Sequence, residues 1–119
     1  MELPKEILTI GLGELRTNLF GFMRELVKDC WKEEDTEFLK QLSKDVAREA
    51  WLARKNQEDS EVHRQNLLHL AATIRGEILR KELKIKAFRK KIFTDLLSMA
   101  IKTVASVLLQ SAKASVAEG

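Results

Sequence analysis

Tyrosine is missing from this chain, and proline and cysteine occur once each. The one proline, Pro4, stands where a first helical turn tolerates it, so no later position stops a helix by lacking an amide donor. The one cysteine, Cys30, excludes an intrachain disulfide and any metal cluster built from cysteines, and it fits a reducing compartment. Glycine occurs five times, yet residues 77–118 contain no glycine, proline or asparagine, and Gly76 is the one glycine after Ser60 and before that stretch. The N-terminus shows no basic region followed by an apolar run, so no secretory leader is expected. The longest uncharged stretch near the C-terminus is ten residues, 103–112, against about 20 for a membrane span. These absences lead us to expect a soluble, cytoplasmic protein with no transmembrane span.

What is present favours helix. Hydrophobic residues make up 45% of the 119 positions, enough for a core and too many for a disordered segment. Leucine, alanine, glutamate and lysine dominate, an alphabet of strong helix formers. The length fits one domain, so the expectation is a single all-α domain over residues 1–119. Charge is divided unevenly. Residues 1–62 hold 10 Lys/Arg and 14 Asp/Glu, net −4, and residues 63–119 hold 11 and 4, net +7. An acidic front can pair with a basic back, within one molecule or between copies.

Apolar spacing divides the chain into helices. Leu8, Leu12, Leu15, Leu19, Phe22, Leu26 and Cys30 repeat at intervals of four and three, predicting helix 1 over about 4–31. Gly11, Gly13 and Gly21 lie inside it. They imply either an irregular start, with regular helix from about Gly13, or close approach of a neighbouring backbone. Helix 2, about 35–56, follows a turn and is capped by Asp35 or Thr36, with Glu37 suited to the positive end of the helix dipole. Its stripe is Phe38/Leu39, Leu42, Val46, Ala50 and Ala53, with Trp51 at the edge. Helix 3 is expected from Ser60, as cap, to about 116. Its stripe runs through Leu67, Ala71, Ile74 and Ile78, skips Lys81, and resumes at Ile85, Phe88, Ile92, Leu96, Met99, Thr103 and Val107.

A helix of about 58 residues would span ~87 Å, and helices 1 and 2 cover only half of that. The expected architecture is therefore a helical hairpin packed on a long C-terminal helix, three helices in all. The alternative is a four-helix up-down bundle with a break near residue 84. No turn chemistry marks such a break, since residues 80–84 are all good helix formers.

The apolar residues of 88–109 occupy more than one face. Left in water, such a patch is unfavourable at ~25 cal/mol per Å², and patches of that kind mark interfaces. The expected function is that of a non-enzymatic helical interaction or scaffold protein. It would self-associate, as a homodimer, through Phe88, Ile92, Leu96, Met99, Ala100, Val104, Val107 and Leu108, or meet another helical protein there. A first alternative is nucleic-acid or polyanion binding through the basic stretch 80–91, with Arg80, Lys84, Lys86, Lys90 and Lys91 following phosphates. Arg80, Lys84 and Lys91 would share a flank of a continuous helix. The competing reading of those cations is a solvated face that pairs with acidic helix 2. A second alternative is association with a membrane surface, since a basic stretch precedes an apolar one.

Catalytic and cofactor motifs are lacking. The two histidines, His63 and His69, are six apart. Asp59 and His63 could form one arm of a metal site, but no Glu-x-x-His pair supplies the arms that a carboxylate-bridged site needs. Cys30 lies on the helix 1 stripe and reads as core. Gly11-Leu12-Gly13 does not extend to a phosphate loop and follows no strand. No enzyme, cofactor or metal is expected.

Overall fold

A computed structural model describes residues 10–30, 32–81, 83 and 86–118. The described residues form four helices and no strand: α1 (Leu12–Leu26), α2 (Thr36–Lys55), α3 (Ser60–Arg80) and α4 (Ala87–Glu118). One-turn 3-10 segments, Glu33–Asp35 and Gln57–Asp59, lead into α2 and α3.

Successive helices run antiparallel. At one end of the first pair, the Arg54 guanidinium donates to the Ile10 carbonyl at 2.7 Å. Further along, the Ser43 hydroxyl lies 3.7 Å from the Met23 sulfur. Glu49 of α2 meets His63 of α3 at 2.7 Å. The Ser98 hydroxyl of α4 donates to the Ala71 carbonyl of α3 at 3.1 Å. Each helix packs chiefly on its neighbour in sequence. α4 also reaches α2, where the Phe38 and Phe93 rings lie 6.3 Å apart, and it touches α1 only lightly.

The core draws on all four helices. Leu15, Leu19, Phe22 and Met23 come from α1; Leu39, Leu42, Val46, Ala50 and Ala53 from α2; Leu67, Ala71, Ile74 and Ile78 from α3. These are mostly the positions that the three-four spacing selects. Val27 and Cys30, buried beyond the end of α1, close the same core. Trp51 is half-buried at its edge, with the Lys55 ammonium 4.5 Å from the ring.

The continuous helix 3 expected over 60–116 is not formed. α3 stops at Arg80, Lys81 is a turn residue, and α4 starts at Ala87. The molecule measures 49 × 23 × 21 Å, which matches the ~48 Å of the 32-residue α4 and rules out an 87 Å rod. The reason is a contest of magnitudes. Breaking the helix forfeits little, since extending a helix by one residue is close to neutral in free energy even for good helix formers and only a handful of residues are involved. Folding back buries Phe93, Leu97, Ile101, Val104 and Leu108 completely or nearly so, each worth ~1.5–3 kcal/mol. Long-range burial outweighs local preference.

The glycines in α1 are also resolved. Regular helix begins at Leu12, close to the Gly13 of the irregular-start reading. A Cβ built on Gly11, Gly13, Gly21 or Gly76 meets no atom within 4 Å. Close approach of a neighbouring backbone is therefore not what these glycines serve. The part of helix 1 expected before residue 10, and Trp31 at its expected end, lie outside the described residues.

Candidate interaction surface

α4 presents two different sides. Inward, Phe93, Leu97, Ala100, Ile101, Val104, Ala105 and Leu108 are buried against the other helices. Outward, Ile92 is 53% exposed and Met99 49% exposed. Leu96, Thr103 and Val107 are half-buried beside them. Ser98, held on the Ala71 carbonyl, marks the side of α4 that faces α3. Residues 92, 96, 99 and 103 keep a four-three-four spacing along a line turned away from it. The Thr103 hydroxyl bonds back to the Met99 carbonyl at 2.8 Å, so its polar group is satisfied within the helix.

This geometry divides the residues expected to self-associate. Ala100, Val104 and Leu108 are sealed inside the fold, and a residue covered by its own chain is closed to a second one. Ile92 and Met99 are open, with Leu96 and Val107 at the margin. The Phe88 side chain lies outside the described residues. With the helix broken at residue 81, no long uncovered rod is left to need a partner. What remains is a narrower stripe on one helix.

The basic stretch is folded into a corner. Arg80 ends α3 and Lys91 lies in α4, so they do not share a helix flank as a continuous helix would require. Lys84 lies outside the described residues. Arg80 pairs with Glu77 and Lys91 with Asp95, each on its own helix. Arg89 donates to the Asp29 carbonyl, tying the start of α4 to the turn that follows α1. Among the described residues, Lys81, Lys86 and Lys90 make no ion pair. Between the acidic front and the basic back, the His63 ring lies 2.7 Å from the Glu49 carboxylate, and Asn66 donates to the same carboxylate at 3.3 Å.

Arg89–Leu109 is long and apolar enough to cross a membrane by length and composition, with a mean hydropathy of 1.7. Counting only uncharged runs misses this, because Asp95 and Lys102 interrupt the segment. In this fold the most apolar side of that segment is core.

Other features are modest. A cleft of about 630 Å³ between α2 and α3 has Phe38, Leu42, Leu70 and Ile74 on its floor and Glu37, Asp45, Glu77 and Lys81 around it. Sequence spacing cannot reveal it, because it arises only when two helices pair. Among the described residues no group of three or more His, Cys, Asp or Glu could hold a metal. Cys30 is buried. At the start of α3, the Glu61 carboxylate accepts from the Arg64 guanidinium at 2.6 Å and from the Gln65 side-chain amide at 2.9 Å. These bonds, Arg64 first, hold the Glu61 carboxyl down at about 2.

Comparison with protein families, with curated proteins and with solved structures finds no match.

Proposed function

We propose that the chain is a non-enzymatic helical interaction protein that self-associates through the outward side of α4. One observation carries this reading: Ile92 and Met99, two of the four large hydrophobic residues described as exposed, lie seven apart on a single helix with Leu96 between them. The other two, Val62 and Leu79, are 17 positions apart on α3 and form no such stripe. Aligned apolar residues on an outer helical face are what a partner helix covers.

Sedimentation equilibrium tests it. The mass should rise from 13.6 kDa toward twice that value as concentration increases. Ile92→Asp combined with Met99→Asp should hold the protein monomeric without changing its helical circular dichroism. A wild-type chain that stays monomeric at hundreds of micromolar contradicts the reading.

Polyanion binding is the second reading, favoured by Lys81, Lys86 and Lys90, which make no ion pair among the described residues. Fluorescence anisotropy with labelled duplex DNA should then show affinity that falls steeply with salt, and Lys86→Glu with Lys90→Glu should remove it. Membrane-surface association has less support, since Phe93, Leu97 and Ile101 of the apolar segment are already covered.

A further inference from the structure

We infer that two copies meet through α4 in antiparallel orientation, about a two-fold axis that passes between Ser98 and Met99. This rests on the self-association reading and goes further by fixing the register. The stripe places Ile92 and Met99 at one seam position and Leu96 and Thr103 at the other. Asp95 and Lys102 then occupy the same flanking position, one heptad apart. Both are exposed. Lys102 makes no hydrogen bond or ion pair among the described residues. Asp95 is shared only with Lys91, at 3.4 Å across open surface.

A two-fold axis perpendicular to antiparallel helices brings like flanks together. With the axis midway between positions 95 and 102, Asp95 of each copy falls opposite Lys102 of the other. One symmetric contact forms two reciprocal ion pairs, as a self-complementary surface requires. A parallel pair would cross the flanks instead. Asp95 and Lys102 would then face positions 93 and 100, which are buried Phe93 and Ala100, and both charges would be left unmatched. The charge pattern therefore selects the antiparallel arrangement.

Reversing the charges tests it by sedimentation equilibrium. Asp95→Lys alone and Lys102→Glu alone should each weaken the dimer roughly tenfold, two attractive pairs becoming repulsive. The double variant restores both pairs and should recover most of the affinity. Mixing the two single variants in equal amounts should also regenerate dimer, since each supplies the charges that the other lacks. Single variants that dimerise like wild type, or a double variant that does not recover, overturn the register. In that case Ile92→Asp with Met99→Asp still reports on self-association itself, so the two failures are distinguishable.

Crosslinking gives a second readout that does not depend on charge. In a Cys30→Ala background, a short bismaleimide should join two copies through Met99→Cys. It should not join them through Ile92→Cys, whose two sites would lie ~20 Å apart along the helices. Linking through Ile92→Cys overturns the antiparallel arrangement, as does failure to link through Met99→Cys.

Discussion

The front hairpin, α1 with α2, and the back hairpin, α3 with α4, use their apolar residues differently. α2 confines its buried positions to Leu39, Leu42, Val46, Ala50, Ala53 and their close neighbours, while Lys40, Lys44, Asp45 and Arg48 point to water. Among the described residues of α2 no large apolar side chain is exposed, and Phe38, Trp51 and Leu52 are half-buried. α4 fills a broad inward side with Phe93, Leu97, Ile101, Val104 and Leu108 and still exposes Ile92 and Met99. A helix whose large apolar residues are all at least half-covered by its own fold has no exposed apolar stripe to offer. One with a surplus has, and here that surplus coincides with the basic half of the chain. The contrast is one of surface: α2 keeps its large apolar residues at least half-covered, whereas α4 contributes to the core and still leaves Ile92 and Met99 outside it.

The sharpest way to break the contrast is to compare the two sides of α4. Phe93→Ala should lower the unfolding free energy by about 3–5 kcal/mol in urea denaturation, because the ring is fully buried against Phe38 and its loss leaves a cavity. Ile92→Ser, one residue away on the open side, should change monomer stability by less than about 0.5 kcal/mol. Similar losses at the two positions would mean that the outward stripe belongs to the core after all.

A smaller effect concerns the glycines of both hairpins. Gly21→Ala in α1 and Gly76→Ala in α3 should each raise stability by about 0.5–1 kcal/mol, since both sit inside helices and the added methyl meets open space. A loss at either position would reveal a backbone contact that the fold does not show.

The smallest effect is local to the start of α3. The Glu61 carboxyl sits at about 2, below the ordinary 4.5, chiefly through its bond to Arg64. Because the folded value is depressed, its contribution is present above pH 4.5 and is lost as the pH falls toward 2. Carboxyl-carbon NMR titration should find Glu61 ionised where an ordinary glutamate is already protonated, and Arg64→Gln should move its midpoint upward.

The sequence reveals the elements better than their connection. Leu15, Leu19 and Phe22, and likewise Leu67, Ala71, Ile74 and Ile78, announce their burial by spacing alone, because a 3.6-residue period repeats on one face. α2 lies within a residue of its expected bounds at either end. The break after Arg80 leaves no trace in local helix propensity. Arg80, Lys81, Leu83 and Lys84 are as helical by propensity as any residues in the chain, and the fold-back is decided by burial of residues far along the sequence. Lys81, the charged residue that interrupts the stripe, was the one visible sign. The site suffered from the same gap. Apolar residues on more than one face of 88–109 are plain in the sequence, but which face is left over depends on where α3 lies. Ala100, Val104 and Leu108 went inward, while Ile92 and Met99, seven apart, stayed out.

The doubling back of α4 on α3 underlies all of this, and a distance between spin labels at Gln65 and Ser106 measures it directly. In a Cys30→Ala background, with labelled protein diluted in unlabelled protein to suppress contacts between copies, electron–electron double resonance should give a distance under about 25 Å, as expected for neighbouring antiparallel helices with axes ~8–10 Å apart. A distance near 60 Å, the ~1.5 Å rise multiplied over the 41 residues between the labels, would mean an unbroken rod and would contradict the fold.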